Sequence, residues 1–342
     1  MTHLPSFAIR LHGGMDSRVC AAHAEHAETC GFQTVWFAEN PFQRGVLPAA
    51  SASVLATQSI QVGIGVFNPF NRHPTLMAME IGALDELSGG RALLGIGSGV
   101  PETISKFQKF SKIVSAMRDT LNIVCPLLSG QEVSYHGTVF SADRVQLSYE
   151  LTRPKMPVYV AAMGERMLRL CGEAGDGLLI SNMCPPSFTQ RAISLMDEGA
   201  NLAKRLPPAE IVKYVPCVVD NDAEKARRSV KPAISVMLAA YWRAYKSTPA
   251  ALGAIGSDNG IDPDVFGQSL ERLNKGEPAE EALSDSFVSA YAVAGTVDQC
   301  LDQCHELGES GVTQMTLTFH GDRPKESMAD LGAAARVFRR QA

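Results

Sequence analysis

Short apolar runs alternate with amphipathic segments along almost the whole chain, and this alternation restricts the fold more than any other feature. Strands that alternate with helices form a parallel sheet. Eight such units predict an α/β fold, a closed (β/α)8 TIM barrel, rather than an open doubly wound sheet. The eight predicted strands are Phe7–His12, Thr34–Ala38, Ile60–Val66, Ala92–Ile96, Val158–Ala161, Gly177–Ser181, Ile211–Val219 and Thr313–Phe319.

The segments between these runs carry the end signals of helices. Asp16 is placed to cap a helix over Ser17–Cys30, and Gly31 follows its end. Pro74 suits the first turn of a helix that runs to about Leu87. Further helices are predicted over Ser105–Leu128, Gly164–Ala174, Ser187–Lys204 and Ala223–Tyr245, with a last one ending near Arg339.

The chain has 342 residues, which exceeds the length of a typical barrel, about 250 residues. The surplus falls in two places, a hairpin excursion near residues 131–149 and a Gly-, Asp- and Pro-rich stretch near 247–289. We therefore expect a single barrel domain over residues 1–342. The second stretch would form a lid-like insertion between the seventh and eighth strands.

Composition excludes several classes of protein. Lys+Arg number 31 against 36 Asp+Glu, a net charge of −5, so no basic surplus indicates a nucleic-acid partner. No apolar run approaches the ~20 residues needed to cross a bilayer, and the start lacks a signal-peptide layout. The eight cysteines are dilute, which favours reduced thiols in a cytoplasmic protein. Cys300 and Cys304 are interpreted as buried thiols on one helix, and no metal site is expected.

Two glycine-containing turns follow predicted strands. The segment Gly95–Gly99 lacks the spacing of a dinucleotide fingerprint, because Pro101 and Glu102 follow it before a helix can begin. The turn Ala161–Arg166 joins a strand directly to a helix, and its small residues leave backbone N–H groups open. Such a helix start attracts an anion, so this turn is a candidate phosphate site.

The segment Gly63–Pro74 is the most distinctive part of the sequence. Two glycines and two prolines around one strand end indicate an unusual backbone. Arg72 and His73 are interpreted as residues of surface pairing and helix capping. Polar residues also collect at other predicted strand ends, where barrel enzymes place their sites: His12, Glu39, Asn40, Asn68, Ser98, Ser181, Asn182 and His320.

Four spaced segments together resemble the bacterial-luciferase-like flavin- and deazaflavin-dependent oxidoreductases, especially the methylenetetrahydromethanopterin reductase branch. They are GIGVFNPFNRHP, LDELSGGRALLGIGSG, PVYVAAMGERMLRLCGEAGDGLLIS and AGTVDQCLDQCHELGESGVTQMTLTF. The resemblance implies a barrel that binds coenzyme F420 or FMN at the strand ends. It also implies a cis peptide between Gly65 and Val66, with Val66 beneath the tricyclic ring. The candidate cofactor-binding residues are Gly65, Val66, Asn68, Ser98, Gly99, Ala162, Met163, Gly164, Glu165, Arg166 and Ser181.

The sequence departs from this family at two places. Deazaflavin enzymes commonly carry Asp-His at the end of strand two, where this chain has Glu39 and Asn40. After the strand-four glycines, Val100 and Pro101 precede Glu102, where the family often has an acidic residue at once. The candidate catalytic residues are Glu39, Asn40, Glu102 and His12.

Three functions remain open at this point. The first is hydride transfer between F420 and a small organic substrate, with Glu39, Glu102 or His12 handling the proton. The second is an FMN-dependent monooxygenase, and the third is a non-catalytic flavin-binding barrel. By resemblance we expect a homodimer, with no nucleic-acid or membrane partner.

Overall fold

Eight parallel strands close into a barrel in the computed structural model, which describes residues 4–245 and 259–341. The barrel order is β1-β2-β3-β4-β7-β8-β9-β11, and β11 pairs with β1. The strands are β1 Ser6–His12, β2 Thr34–Ala38, β3 Gln61–Phe67, β4 Ala92–Ile96, β5 Val133–His136, β6 Ser141–Val145, β7 Val158–Ala161, β8 Gly177–Ile180, β9 Glu210–Val219, β10 Val293–Gly295 and β11 Gln314–Phe319. The predicted TIM barrel is thus confirmed.

Helices connect the barrel strands. The sequence signals at two helix starts are confirmed, since Asp16 accepts a hydrogen bond from the Arg18 N–H and the His73 side chain accepts one from Thr75. The helices are α1 Ser17–Thr29, α2 Val46–Ala56, α3 Pro74–Ser88, α4 Pro101–Ile104, α5 Ile113–Leu127, α6 Glu165–Ala174, α7 Pro186–Leu202, α8 Ala223–Tyr245, α9 Pro263–Asn274, α10 Ala279–Ala282, α11 Asp285–Tyr291, α12 Val297–Glu309 and α13 Pro324–Gln341.

Four elements in this part of the fold differ from the sequence prediction. The helix predicted over Ser105–Leu128 is wrong at its start, because Lys112 adopts a left-handed φ of 52° and α5 begins only after it. A short α4 begins at Pro101 instead. The helix α2 was not predicted, since its sequence VLPAASASVLA is apolar or small on nearly all sides. The three-residue β10, which pairs with β9, was too short to detect.

The barrel interior is filled by side chains of alternating strand residues. Trp36, Tyr159 and Tyr214 are the aromatic members of this interior cluster. The Trp36 indole N–H donates to Gln314 Oε1 at 2.7 Å, which satisfies the polar edge of that ring. Because the interior is closed by these rings, a ligand can approach the barrel strands only at an end.

Two segments lie outside the barrel. The strands β5 and β6 form a separate antiparallel sheet. Helices α8, α9 and α11 share a second, smaller apolar cluster that includes Phe266, Phe287 and Tyr291. Within the predicted lid, residues 247–258 lie outside the described part of the chain.

Cys300 and Cys304 lie on α12 and are both fully buried, as the sequence indicated. Among residues 4–245 and 259–341, no helix combines the length and the apolar character needed to cross a membrane.

Candidate active site

The carboxyl ends of the barrel strands surround one opening, which we call the mouth. The alternation of residues along a strand identifies the side chains that point into the mouth. Ala8 packs inside the barrel with Trp36 and Tyr214, so Arg10 and His12, two and four residues further along β1, face the same interior. Barrel enzymes bind their substrates at this end.

A bulge at the end of β3 projects Val66 toward the mouth. The peptide bond between Gly65 and Val66 is cis, as the resemblance implied, and the pairing of β3 with β4 shifts register here. The glycines of β4 and its loop make room for the side chain. A Cβ on Gly97 would lie 2.7 Å from Val66 Cγ2, and one on Gly95 would lie 3.3 Å from Val66 Cγ1. The half-buried Val66 therefore forms an apolar platform between small residues.

Asn68 holds the loop after β3 against the loop after β4. Its Nδ2 donates to the Ser98 carbonyl oxygen at 2.8 Å, and its Oδ1 accepts from the Phe70 N–H at 2.8 Å. Gly99 has a φ of 75°, and a Cβ there would collide with the Asn68 amide. The buried Asn68 amide is thus committed to shaping the mouth, and Ser98 and Gly99 complete the contact.

The turn between β7 and α6 presents an open helix start. Gly164 is the N-cap and has an extended backbone, and residues 164–166 are exposed. The first N–H groups of a helix have no intrahelical partner, so they are available to an anion. The Glu165 carboxylate would oppose an anion, but Arg191 binds it at 2.6 Å and holds its pKa below the usual value. Ala162 is buried and Met163 half-buried beneath this turn.

Glu39 lies in an ion-pair network between the barrel and α3. Alternate residues of a strand point to the same side, and Glu39 follows Val35 and Phe37 in this alternation. The side chains of Val35 and Phe37 pack against the helices rather than inside the barrel. Arg72 Nη1 donates to both of its carboxylate oxygens, and burial raises the pKa of Glu39 despite this opposing charge. Arg72 also pairs with Glu80 at 2.5 Å. The half-buried carboxylate therefore anchors Arg72.

Three nitrogen-containing side chains occupy the β1 and β11 side of the mouth. The Arg10 guanidinium lies 5.5 Å from the Tyr214 ring centroid. Burial and the charge of Arg10 lower the pKa of His12. Burial, the charge of Arg10 and the charge of His12 lower the pKa of His320. Sequence reasoning missed Arg10, although its alternation with Ala8 and His12 in β1 was a signal that could have found it.

The other candidate residues lie at the outer edge of the mouth, which we call the rim. Glu102 is exposed in the first turn of α4. Asn40 is half-buried and donates to Gln43 Oε1 at 3.2 Å. Ser181, just after β8, accepts from the Met183 N–H at 3.3 Å. The structure thus groups the cofactor candidates on the neighbouring β3, β4, β7 and β8. His12 ends β1, and Asn40 follows β2, which is the direct neighbour of β3.

The chain was compared with known proteins. A family model described as luciferase-like monooxygenase matches residues 5–314. The chain is 31% identical over 297 residues to the 5,10-methylenetetrahydromethanopterin reductase of Archaeoglobus fulgidus, covering 84% of this chain and 86% of that one. It is 24% identical over 315 residues to the F420-dependent glucose-6-phosphate dehydrogenase of Amycolatopsis mediterranei, covering 87% of each.

Among solved structures, the coenzyme F420-dependent tetrahydromethanopterin reductase of Methanopyrus kandleri aligns with a TM-score of 0.83 at 24% identity. That alignment covers 96% of this chain and 98% of the other. The family model extends over most of the chain, and the resemblance seen in its sequence segments is confirmed. This protein therefore belongs to the luciferase-like family of barrel oxidoreductases.

Proposed function

We propose that this protein transfers hydride between coenzyme F420 and a small organic substrate at the mouth of the barrel. The observation that carries the proposal is the apolar Val66 side chain at the mouth, beside which Gly95 and Gly97 leave room because they have no Cβ. A deazaflavin, when bound, supplies a carbon centre that accepts or donates hydride. The similarity to a reductase and to an F420-dependent dehydrogenase supports this cofactor.

The residues present fit such a cofactor at two points. Val66 offers an apolar surface for a flat ring, and no methyl group on Gly97 crowds it. The open start of α6 offers backbone N–H groups to a phosphate, and a Cβ on Gly164 would have no atom within 4 Å. The protein would thus hold the cofactor by its ring and its phosphate across β3, β4 and β7.

Proton handling falls to a smaller set than the sequence suggested. Both oxygens of Glu39 face Arg72, so we assign Glu39 to positioning the loop that contains Arg72. His12 faces the mouth, and Glu102 stands on the rim in contact with solvent. A proton donor should have a pKa near the working pH. Burial and the charge of Arg10 lower the pKa of His12, so its imidazole stays neutral to a lower pH than an ordinary histidine.

An FMN-dependent monooxygenase is the second candidate. The observation that favours it is the family model itself, whose description names monooxygenases. Such an enzyme needs a mouth that shields a reactive oxygen adduct from water. A non-catalytic flavin-binding barrel would require the cofactor site without substrate turnover.

Cofactor titration separates these functions. We expect the purified protein to quench F420 fluorescence saturably and to bind FMN more weakly. Turnover of a panel of alcohols, aldehydes and imines would then be followed by the absorbance of the oxidised deazaflavin. Tight FMN binding without F420 binding would favour the monooxygenase. F420 binding without turnover of any compound would favour the non-catalytic barrel.

We also propose a homodimer, because apolar side chains are exposed on α2 and α3. Leu55 is 70% exposed, and Leu76 and Met79 are 46% and 44% exposed, so covering them in a second subunit would be favourable. Analytical ultracentrifugation of the purified chain tests this, and a monomer at micromolar concentration would contradict it.

A further inference from the structure

The segment that links β4 to α5 carries a concentration of positive charge. Between Glu102 and Asp119 the sequence contains no acidic residue, but it contains three lysines spaced three residues apart. These are Lys106, Lys109 and Lys112, and all three are exposed. We call residues 105–112 the basic loop. Its positive charge contrasts with the net charge of −5 on the whole chain.

The lysines of the basic loop have no acidic partner on the protein. Within the described ranges 4–245 and 259–341, none of the three forms a salt bridge. Other exposed lysines do, since Lys155 binds Asp176 at 2.6 Å and Lys225 binds Asp220 at 2.9 Å. The basic loop therefore presents three uncompensated charges, which attract an anionic ligand.

Two phenylalanines alternate with these lysines and fix the position of the loop. Phe107 packs edge-on against Phe42, which follows β2, with 5.6 Å between the ring centroids. Phe110 packs against Phe70, which follows β3, with 5.0 Å between the centroids. Because β2, β3 and β4 are neighbouring strands, these contacts hold the basic loop along the rim of the mouth.

The basic loop ends beside the open start of α6. The strands β4 and β7 pair directly, and the helices that follow them, α5 and α6, pack against each other. An ion pair between Arg118 and Glu173 joins the two helices. Packed helices lie about 8–10 Å apart. Lys112 and Gly164, the N-cap residues of α5 and α6, therefore mark neighbouring helix starts at the mouth.

A ligand that spans both features needs a phosphate followed by further negative charges. Coenzyme F420 has this chemistry, because its phosphate is extended by a chain of γ-linked glutamates that each carry a free carboxylate. A single exposed pair of lysine and carboxylate contributes little to affinity. Several lysines on one loop can engage several carboxylates of one chain, so their contributions add.

We propose that Lys106, Lys109 and Lys112 bind the glutamate tail of the cofactor, while its phosphate lies at the start of α6. The inference rests on the proposed function, because the tail belongs to F420. It deepens that function by assigning a second anionic contact to the rim. Binding of the tail can be measured without turnover.

The test compares F420 that carries several glutamates with F420 trimmed to a single glutamate. Binding to the full chain is followed by the fluorescence of the deazaflavin. We expect the parent to bind the long form about tenfold more tightly at low salt and to lose this preference at about 1 M salt. The loop variant combines Lys106→Gln, Lys109→Gln and Lys112→Asn, since asparagine tolerates the left-handed φ of 52° at residue 112. It should bind both forms as weakly as the parent binds the short one.

The control variant removes three lysines elsewhere and combines Lys204→Asn, Lys275→Gln and Lys325→Gln. These lysines are exposed, and Lys204 has a left-handed φ of 54°, which matches Lys112. The two variants have the same net charge, and the control should keep the preference of the parent for the long form. Loss of the preference in the control would assign the attraction to overall charge and overturn the role of the basic loop. A loop variant that keeps the preference would also overturn it.

A probe without the ring separates this proposal from the proposed function. γ-Linked tetraglutamate is added to protein whose lysines carry isotopically labelled methyl groups, which retain the charge. We expect saturable NMR shifts of the signals that are missing in the loop variant. Protein that responds to tetraglutamate but does not bind F420 would refute the proposed function and support a carboxylate site on the basic loop. Protein that binds both forms of F420 equally and does not respond to tetraglutamate would overturn that site and leave the proposed function intact.

Discussion

Arg72 Nη1 lies 3.1 Å from each carboxylate oxygen of Glu39, and the guanidinium carbon lies 4.1 Å from the centroid of the Phe67 ring. The pair joins the end of β2 to the loop that leads from the Val66 bulge into α3. With Glu80 on α3 as a second partner, Arg72 is held from three sides. The acidic residue that a sequence comparison would place in catalysis thus supports the backbone beside the bulge.

Replacing the Glu39 carboxylate should lower the stability of the fold rather than the rate of the reaction. In Glu39→Gln the Arg72 guanidinium loses a charged partner but keeps Glu80, so we expect the free energy of unfolding to fall by about 1–3 kcal/mol. Urea denaturation measures it, with the exposed Glu150→Gln as the control. The pH profile of turnover should keep its shape. A shifted profile with unchanged stability would return Glu39 to the role of proton donor.

The space beside Val66 can be filled by one methyl group. In Gly97→Ala the new Cβ would lie 2.7 Å from Val66 Cγ2 and 3.2 Å from Ala161 Cβ, so the platform must shift. We expect cofactor affinity, measured by fluorescence titration, to fall by about tenfold from overpacking. Gly267→Ala in α9 is the control, because its Cβ would meet no atom within 4 Å. Equal affinities in the two variants would place the ring elsewhere.

The start of α6 can be tested with a substitution that the fold tolerates. Gly164 has φ −85° and ψ 147°, which valine adopts readily, and its Cβ would meet nothing within 4 Å. Gly164→Val should therefore melt like the parent but bind cofactor about tenfold more weakly, because the side chain blocks approach to the N–H groups. Gly45 is also an N-cap with open surroundings, so Gly45→Val provides the matched control. If Gly164→Val binds the cofactor as tightly as the parent, the phosphate binds elsewhere.

Lys213 gives a pH-dependent prediction outside the mouth. Its Nζ donates to the Cys184 carbonyl oxygen at 2.6 Å, and burial lowers its pKa from 10.5 to about 8. Between these two values the unfolded chain binds the proton and the folded chain does not, so the stability contribution of Lys213 rises with pH. Relative to Lys213→Met, the parent should gain about 3 kcal/mol from pH 8 to 10.5.

Denaturation of both proteins across this range measures the gain, with the exposed Lys109→Met as the control. A parent that gains nothing over Lys213→Met across the window would show that the buried amine keeps its ordinary pKa.

The sequence by itself determined the barrel and many of its local features. Strand alternation, the Asp16 cap and Pro74 at the start of α3 depend on backbone preferences within a few residues, so they can be read from short segments. Where such preferences are weak or opposed, the prediction failed. The helix α2 has no clear amphipathic period, and the left-handed Lys112 delays the start of α5.

Only the tertiary structure decided what the polar residues at the strand ends do. Glu39 and Glu102 are equivalent acids in the sequence, but packing holds Glu39 half-buried against Arg72 and leaves Glu102 in solvent. Closure of the barrel, which pairs β11 with β1, brings His320 near Arg10 and His12, whose charges add to burial in lowering the pKa of His320. Burial and charge depend on the sum of distant contacts, so no short segment of the sequence encodes them.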